Sequence, residues 1–434
     1  MSRRSNRGAG LMNRMYEKST LTNGLRVLTV PMPLVRSVSI AFYLGAGSRY
    51  EVEEQAGLSH FVEHMLFKGT RRRPKAQQIS ETIDGIGGFM NAGTDREITS
   101  YWAKVARPHL PIALDLLSDM LLESLFEPDE MERERKVILE EISSINDSPA
   151  QRVDLLIDEV LWPGQPLGRD VGGTKESVGA ITRSDLLEYM ASQYAPNNAV
   201  VAVAGDLVHD EVVAAVQGHL DGWARSKPLS WFPSVNGQTA PQTRLKWQKT
   251  EQAHLCIAFR GLSAHHPDRY ALDLLNVILG EGMSSRLFLE IRERRGLAYD
   301  VHSYVSHFQD DGAVTVYAGV DPKNIDSAVE GILGELYRLK EPIPEGELHK
   351  AKEMTKGRLM LRTEDTRSMA GWVGGQELLM GEIKSVDEIV EIVDALSAET
   401  LHRVANDLLL SEQMSLAIVG PYRSEGRFQR LLAA

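Results

Sequence analysis

The chain has 434 residues, 43% hydrophobic and 25% charged, which is soluble globular material sufficient for two or more cores. Its formal charge of −12 lacks the basic footprint of a nucleic-acid or anionic-membrane binder. No apolar run reaches the roughly 18 residues of a membrane-spanning helix. The single cysteine, Cys256, excludes an internal disulfide and reads as a buried strand thiol.

The first 18 residues are basic, hold no acid before Glu17 and lack the apolar stretch of a secretory signal, so they read as a flexible tail. A short organelle-targeting presequence is the weaker reading, and the expected location is the cytoplasm. The spacing then predicts strand VSIAFYL, helix AGLSHFVEHMLF, helix AQQISETIDGI, strands GGFMNAG and EITSYWAKV, helix HLPIALDLLSDMLL and a long charged helix from Pro128. The same succession recurs as strand HLCIAFRG, helix RYALDLLNVILG, helix SSRLFLEIRERR, strands LAYDVHSYV and GAVTVYAGV, helix NIDSAVEGILGELY and a charged helix from Pro344. Each half closes with a helix and a strand ending in glycine, Gly205 and Gly420.

The proline- and serine-rich stretch between the halves has linker composition. The expected organisation is therefore a tail (1–18), a first domain (19–225), a linker (226–244) and a second domain (245–434). The fold class is α+β, with two tandem homologous domains, each a mixed, mostly antiparallel sheet packed with helices.

On the first of these helices Leu58, Phe61, Val62, Met65 and Leu66 form one apolar face, so His60, Glu63 and His64 point elsewhere. That face could be merely solvated. Yet histidines at i and i+4 lie about 6 Å apart along the axis, close enough for both imidazoles to lean onto one ion. A glutamate beside a ligand, rotated about 100° around the helix, could serve water at that ion without binding it.

A third ligand is sought on the charged helix, PDEMERERKVILEEISSIND. Glu134, Ile138, Glu141 and Ile145 form a stripe, whereas Glu140 shares its side with Arg133, Lys136 and Ser144. A carboxylate packed among isoleucines needs a cation or hydrogen bonds. Glu141 is therefore selected over Glu140, with Glu134 a second acid near the site. The second half lacks these groups: DLLNVI replaces SHFVEH, and Ala351 and Arg358 stand opposite Glu134 and Glu141. The asymmetry favours chemistry over structure.

Four blocks in this order, His60-Phe-Val-Glu63-His64, ERERKVILEE, FMNAGTDREITSY and GMSSRLFLEIRERRGLAYDV, resemble the inverted-zincin metallopeptidases. This pitrilysin family includes insulin-degrading enzyme and the mitochondrial processing peptidase. The resemblance implies a zinc metalloendopeptidase with one Zn2+ per chain on His60, His64 and Glu141. It makes Glu63 the general base, Glu134 the additional catalytic acid, and Asn91 and Ala92 the edge that binds substrate by strand addition. Arg292 and Tyr299 would contact the substrate carbonyl. Because larger relatives hold four domains and this chain two, the resemblance implies a clamshell homodimer with Arg292 and Tyr299 acting in trans, or a heterodimer with a paralogue. Substrates would be extended or unfolded peptides, with a processing-peptidase-like role among the options. The alternative within the family is a silent scaffold subunit. A di-iron centre on Glu251/His254 and Glu399/His402 fails because the first pair lies on a strand, where residues three apart face opposite ways.

Overall fold

The computed structural model describes residues 15–433. Most of the expected basic tail lies outside them, but Glu17 and Lys18 are not tail. They open β1 (Glu17–Thr20), and Lys18 pairs with Glu377 at 2.6 Å.

The first sheet contains β1, β2 (Arg26–Pro31), β3 (Ser37–Leu44), β4 (Phe89–Thr94), β5 (Thr99–Ala106) and β6 (Ala199–Gly205), in the order β1-β2-β6-β3-β5-β4. The second contains β7 (Gln242–Trp247), β8 (Ala253–Arg260), β9 (Ala298–His307), β10 (Gly312–Val320) and β11 (Ser415–Gly420), in the order β7-β11-β8-β10-β9. Without β1 the two orders superimpose strand for strand. In each sheet one pair is parallel, β2 with β6 and β7 with β11, and every other pair is antiparallel. The α+β repeat read from the sequence is the architecture observed. β6 and β11 read AVVAVAG and SLAIVG and are buried along their whole length, as strands covered on both faces must be. The edge strand β4 instead alternates exposed and half-buried residues.

The halves are less separate than their sequences suggest, because each lends a helix to the other's sheet. The helix Pro149–Leu161 packs Val153, Leu156, Ile157 and Leu161 against Cys256, Ala258, Ala417 and Val419 of the second sheet. The helix Thr366–Met380 returns to the first sheet, laying Met369, Ala370 and Val373 on Leu28, Val200, Ala202 and Ala204. Gly374 permits that approach, since a Cβ there would stand 2.4 Å from the Tyr43 ring.

The connecting stretch is largely exposed but tied to both halves by hydrogen bonds, and β7 begins at Gln242, inside the expected 226–244. Arg49 and Phe232 exchange two bonds, Phe232 N to Arg49 O at 3.1 Å and Arg49 Nε to Phe232 O at 3.0 Å. The guanidinium of Arg49, wholly buried, sits 4.3 Å above the Trp231 ring and pairs with Glu97 of the first half and Asp310 of the second. No helix among the described residues is long and apolar enough to cross a membrane.

Candidate metal centre

The helix Leu58–Leu66 is held at its start by a buried acid. Glu51 accepts hydrogen bonds from Gly57 N (2.9 Å) and Ser59 N (2.6 Å), meeting two amides that the first helical turn leaves unpaired. Gly57 adopts φ +93°, and a Cβ there would meet the Gly172 carbonyl at 2.6 Å. Burial of Leu58, Phe61, Val62, Met65 and Leu66 then fixes the rotation of the helix. His60, Glu63 and His64 are consequently presented together on its half-buried opposite side.

The Nε2 atoms of His60 and His64 stand 3.1 Å apart. Glu141 Oε2 lies 3.5 Å from the second and 3.9 Å from the first. Four ligands at about 2.0–2.1 Å around a tetrahedral ion are roughly 3.3 Å from one another, so two imidazoles and a carboxylate at these separations fit zinc. Among the described residues this is the one group of three or more such side chains gathered closely enough to hold an ion. Glu251/His254 and Glu399/His402 build no such cluster.

Outer contacts orient the histidines. With His64 Nε2 turned toward the other donors, its Nδ1–H donates to Glu134 Oε1 at 2.8 Å, and Lys68 Nζ holds Glu134 Oε2 at 2.6 Å. Burial alone would raise the Glu134 carboxyl, but the bonds to His64 and Lys68 outweigh it and the pKa falls below the ordinary value. Burial depresses His60 to about 4, with the neighbouring His64 adding to the effect, so its imidazole is neutral and available as a ligand at neutral pH. Its Nδ1 is buried without a partner, which leaves Nε2 as the working nitrogen.

Glu63 stands on the same side, with Oε2 accepting a 2.5 Å hydrogen bond from Thr94 Oγ1. Burial raises its pKa, while the Thr94 hydrogen bond and the charge of His64 pull against that rise. A carboxylate whose proton affinity is lifted by desolvation suits general-base work near neutrality.

Glu141 reaches the histidines for a different reason from the one its sequence suggested. The buried stripe of the helix Pro128–Asp147 runs Met131, Glu134, Ile138, Ile142, one residue round from the expected Glu141 and Ile145. The Glu141 side chain is 46% exposed and approaches both histidines from the solvent side of its helix, and the acid that is buried is Glu134. Both Glu134 oxygens are engaged, one by His64 and the other by Lys68, so this acid stands on the Nδ1 side of the His64 ring.

Asn91 and Ala92 lie on β4 at the free edge of the first sheet, where the Ala92 amide donates to Asn91 Oδ1 at 2.9 Å. Arg292 and Tyr299 belong to the second half. The segment Phe288–Arg294 is wound as a π-helix, where an ordinary helix was expected, and it stacks Arg292 4.7 Å from the Phe288 ring and 4.5 Å from that of Tyr299. Arg292 also donates to the Tyr299 carbonyl at 3.0 Å, and Tyr299 is 76% exposed. No hydrogen bond or ion pair among the described residues joins this pair to His60, Glu63, His64 or Glu141.

Two contributors escaped the sequence reading. Lys68 lies four residues beyond His64, and Thr94 lies two beyond Ala92 on the same face of β4. Helical and strand periodicity respectively could have found them. In the second half Leu274, Val277 and Ile278 fill the places of His60, Glu63 and His64 and are buried, Ala351 is buried, and Arg358 pairs with Glu281.

Two family models match the chain. Residues 26–175 match the family model described as Insulinase (Peptidase family M16), and residues 180–355 match the one described as Peptidase M16 inactive domain. The chain belongs to peptidase family M16, as the motifs indicated. It is 38% identical over 408 residues to YmxG of Bacillus subtilis, named an uncharacterized zinc protease, covering 94% of this chain and 98% of that one. A protease structure from Helicobacter pylori has a TM-score of 0.88 at 25% identity, covering 94% of this chain and 99% of its own. A structure titled peptidase M16 inactive domain, from Pseudomonas fluorescens, shares the fold with a TM-score of 0.87 at 20% identity, covering 94% and 99%.

Proposed function

We propose that this chain is an active zinc-dependent metalloendopeptidase that cuts extended peptides or unfolded segments. The observation that carries the reading is the convergence of His60, His64 and Glu141 with Glu63 alongside, in the half that matches the peptidase model. A silent scaffold would have no use for all four.

One zinc ion per chain, held by His60, His64 and Glu141, would supply a Lewis acid and acidify water at the site. Glu63 takes the proton of the attacking water and returns it to the leaving amine. Glu134 acts through His64, fixing the ring so that Nε2 faces inward. The free edge of β4 at Asn91 and Ala92 receives the peptide backbone as an added strand. Arg292 and Tyr299 stabilise the developing oxyanion. They come from a second copy of the chain closing over the first, or from a paralogue in the same position.

The test is cleavage of a quenched-fluorescent peptide library by the purified protein before chelation, after it, and after return of zinc. Activity that disappears and returns supports the proposal. Cleavage that persists in fully demetallated protein sinks it.

A further inference from the structure

Glu63 leaves its helix on a side chain with three rotatable bonds, yet a base must be held within a fraction of an ångström of its target. The helix supplies no such restraint, and the restraint comes from β4. Met90, Ala92 and Thr94 are the half-buried members of that strand, alternating with exposed Phe89, Asn91 and Gly93. Met90 and Ala92 pack against the core that includes the histidine helix, and Thr94, next on the same face, meets Glu63 Oε2 at 2.5 Å. Threonine is stiff at χ1, so its hydroxyl is a well-defined anchor. Thr94 is itself fixed by pairing with Thr99, whose Oγ1 lies 3.5 Å from that of Thr94 and donates to the Ala46 carbonyl at 3.0 Å.

We propose that Thr94 is a positioning residue that couples peptide docking on β4 to the placement of the Glu63 carboxylate. The inference rests on the reading of Glu63 as the general base. A strand added at Ala92 advances about 6.6–6.8 Å over two residues and so arrives beside Thr94 and Glu63. One strand therefore sets both the substrate backbone and the base that serves it. Thr94 thereby holds the carboxylate at Oε2, on the side that faces β4.

The test compares Thr94→Val, which keeps the shape and loses the hydroxyl, with Thr94→Ser, which keeps the hydroxyl. Thr94→Val should lower kcat on the order of tenfold to a hundredfold. Its KM should stay within about threefold of wild type and its zinc content should be unchanged, because the substitution leaves the β4 backbone that pairs with the peptide in place and removes no side chain of His60, His64 or Glu141. Thr94→Ser should recover most of the lost kcat. A readout without turnover comes from crystals of the zinc-free variants: the Glu63 carboxylate should leave its place in Thr94→Val and keep it in Thr94→Ser. Wild-type kcat in Thr94→Val, or an unmoved Glu63, overturns the inference. Thr94→Ala is the second hydroxyl-free variant. If both it and Thr94→Val unfold by circular dichroism, Thr94 serves the fold and the inference fails. Glu63→Gln in parallel separates the two claims. If it cleaves like wild type, the proposed function falls; if it is inert while Thr94→Val is fast, only the coupling falls.

Discussion

The imidazole of His64 is gripped from behind: its Nδ1 lies 2.8 Å from Glu134 Oε1 while its Nε2 faces His60 and Glu141. Losing an outer carboxylate of this kind typically weakens metal binding by about 10–100-fold. Glu134→Gln keeps the volume and removes the charge. It should lower zinc affinity by that factor in competition with a chelator, with unfolding little changed. Unaltered affinity would mean that the carboxylate does not orient His64.

Arg292 and Tyr299 share a stacked unit in the second half, with no bonded path to the histidines among the described residues. If they serve a neighbouring chain, mixing Glu63→Gln with Tyr299→Phe restores one working site per heterodimer. Random exchange between two inactive homodimers should then recover about a quarter of wild-type activity. No recovery, with exchange verified by mass, would contradict action in trans.

Arg49 joins the halves from a fully buried position, through Glu97 on one side and Asp310 on the other. Removing one partner of a buried pair strands the remaining charge, at a cost of about 3–5 kcal/mol. Glu97→Ala should lose stability of that order in urea titration. A change under about 1 kcal/mol would show that water or Asp310 compensates.

His307, at the end of β9, has an acceptor at each ring nitrogen, the Leu262 carbonyl at 2.6 Å and Asp273 Oδ1 at 3.1 Å. Burial opposes its charge, but the Asp273 and Leu262 bonds outweigh burial and the pKa is raised. A raised histidine contributes stability that is complete below its unfolded value of about 6.5 and is lost as pH climbs through the folded pKa. Wild type should therefore lose Tm on the alkaline side of about 6.5 relative to His307→Gln. A constant difference between the two proteins across that range would contradict the assignment.

Much of this site could be read in the sequence because its chemistry is local. His60, Glu63 and His64 lie within two helical turns, and a strongly periodic helix tells which residues share a side. Glu141 was reached by a stripe that proved to be one residue out of phase, since burial follows Ile142 and not Ile145. The helix Pro149–Leu161 was not foreseen, nor was its partner Thr366–Met380, which crosses to the other half's sheet. Their apolar faces look the same whichever sheet they cover. The π winding that carries Arg292 has no periodic signature over seven residues, and the Thr94 hydroxyl becomes visible only once β4 is folded against the histidine helix.

Whether Glu63 is the base of a zinc peptidase can be decided on a single preparation of Glu63→Gln. Bound zinc and cleavage of an unfolded peptide are measured on the same sample beside wild type. If Glu63 is that base, bound zinc equals wild type and the rate falls by about 10²–10⁴-fold. A Glu63→Gln protein that holds its zinc and cuts at the wild-type rate would contradict it.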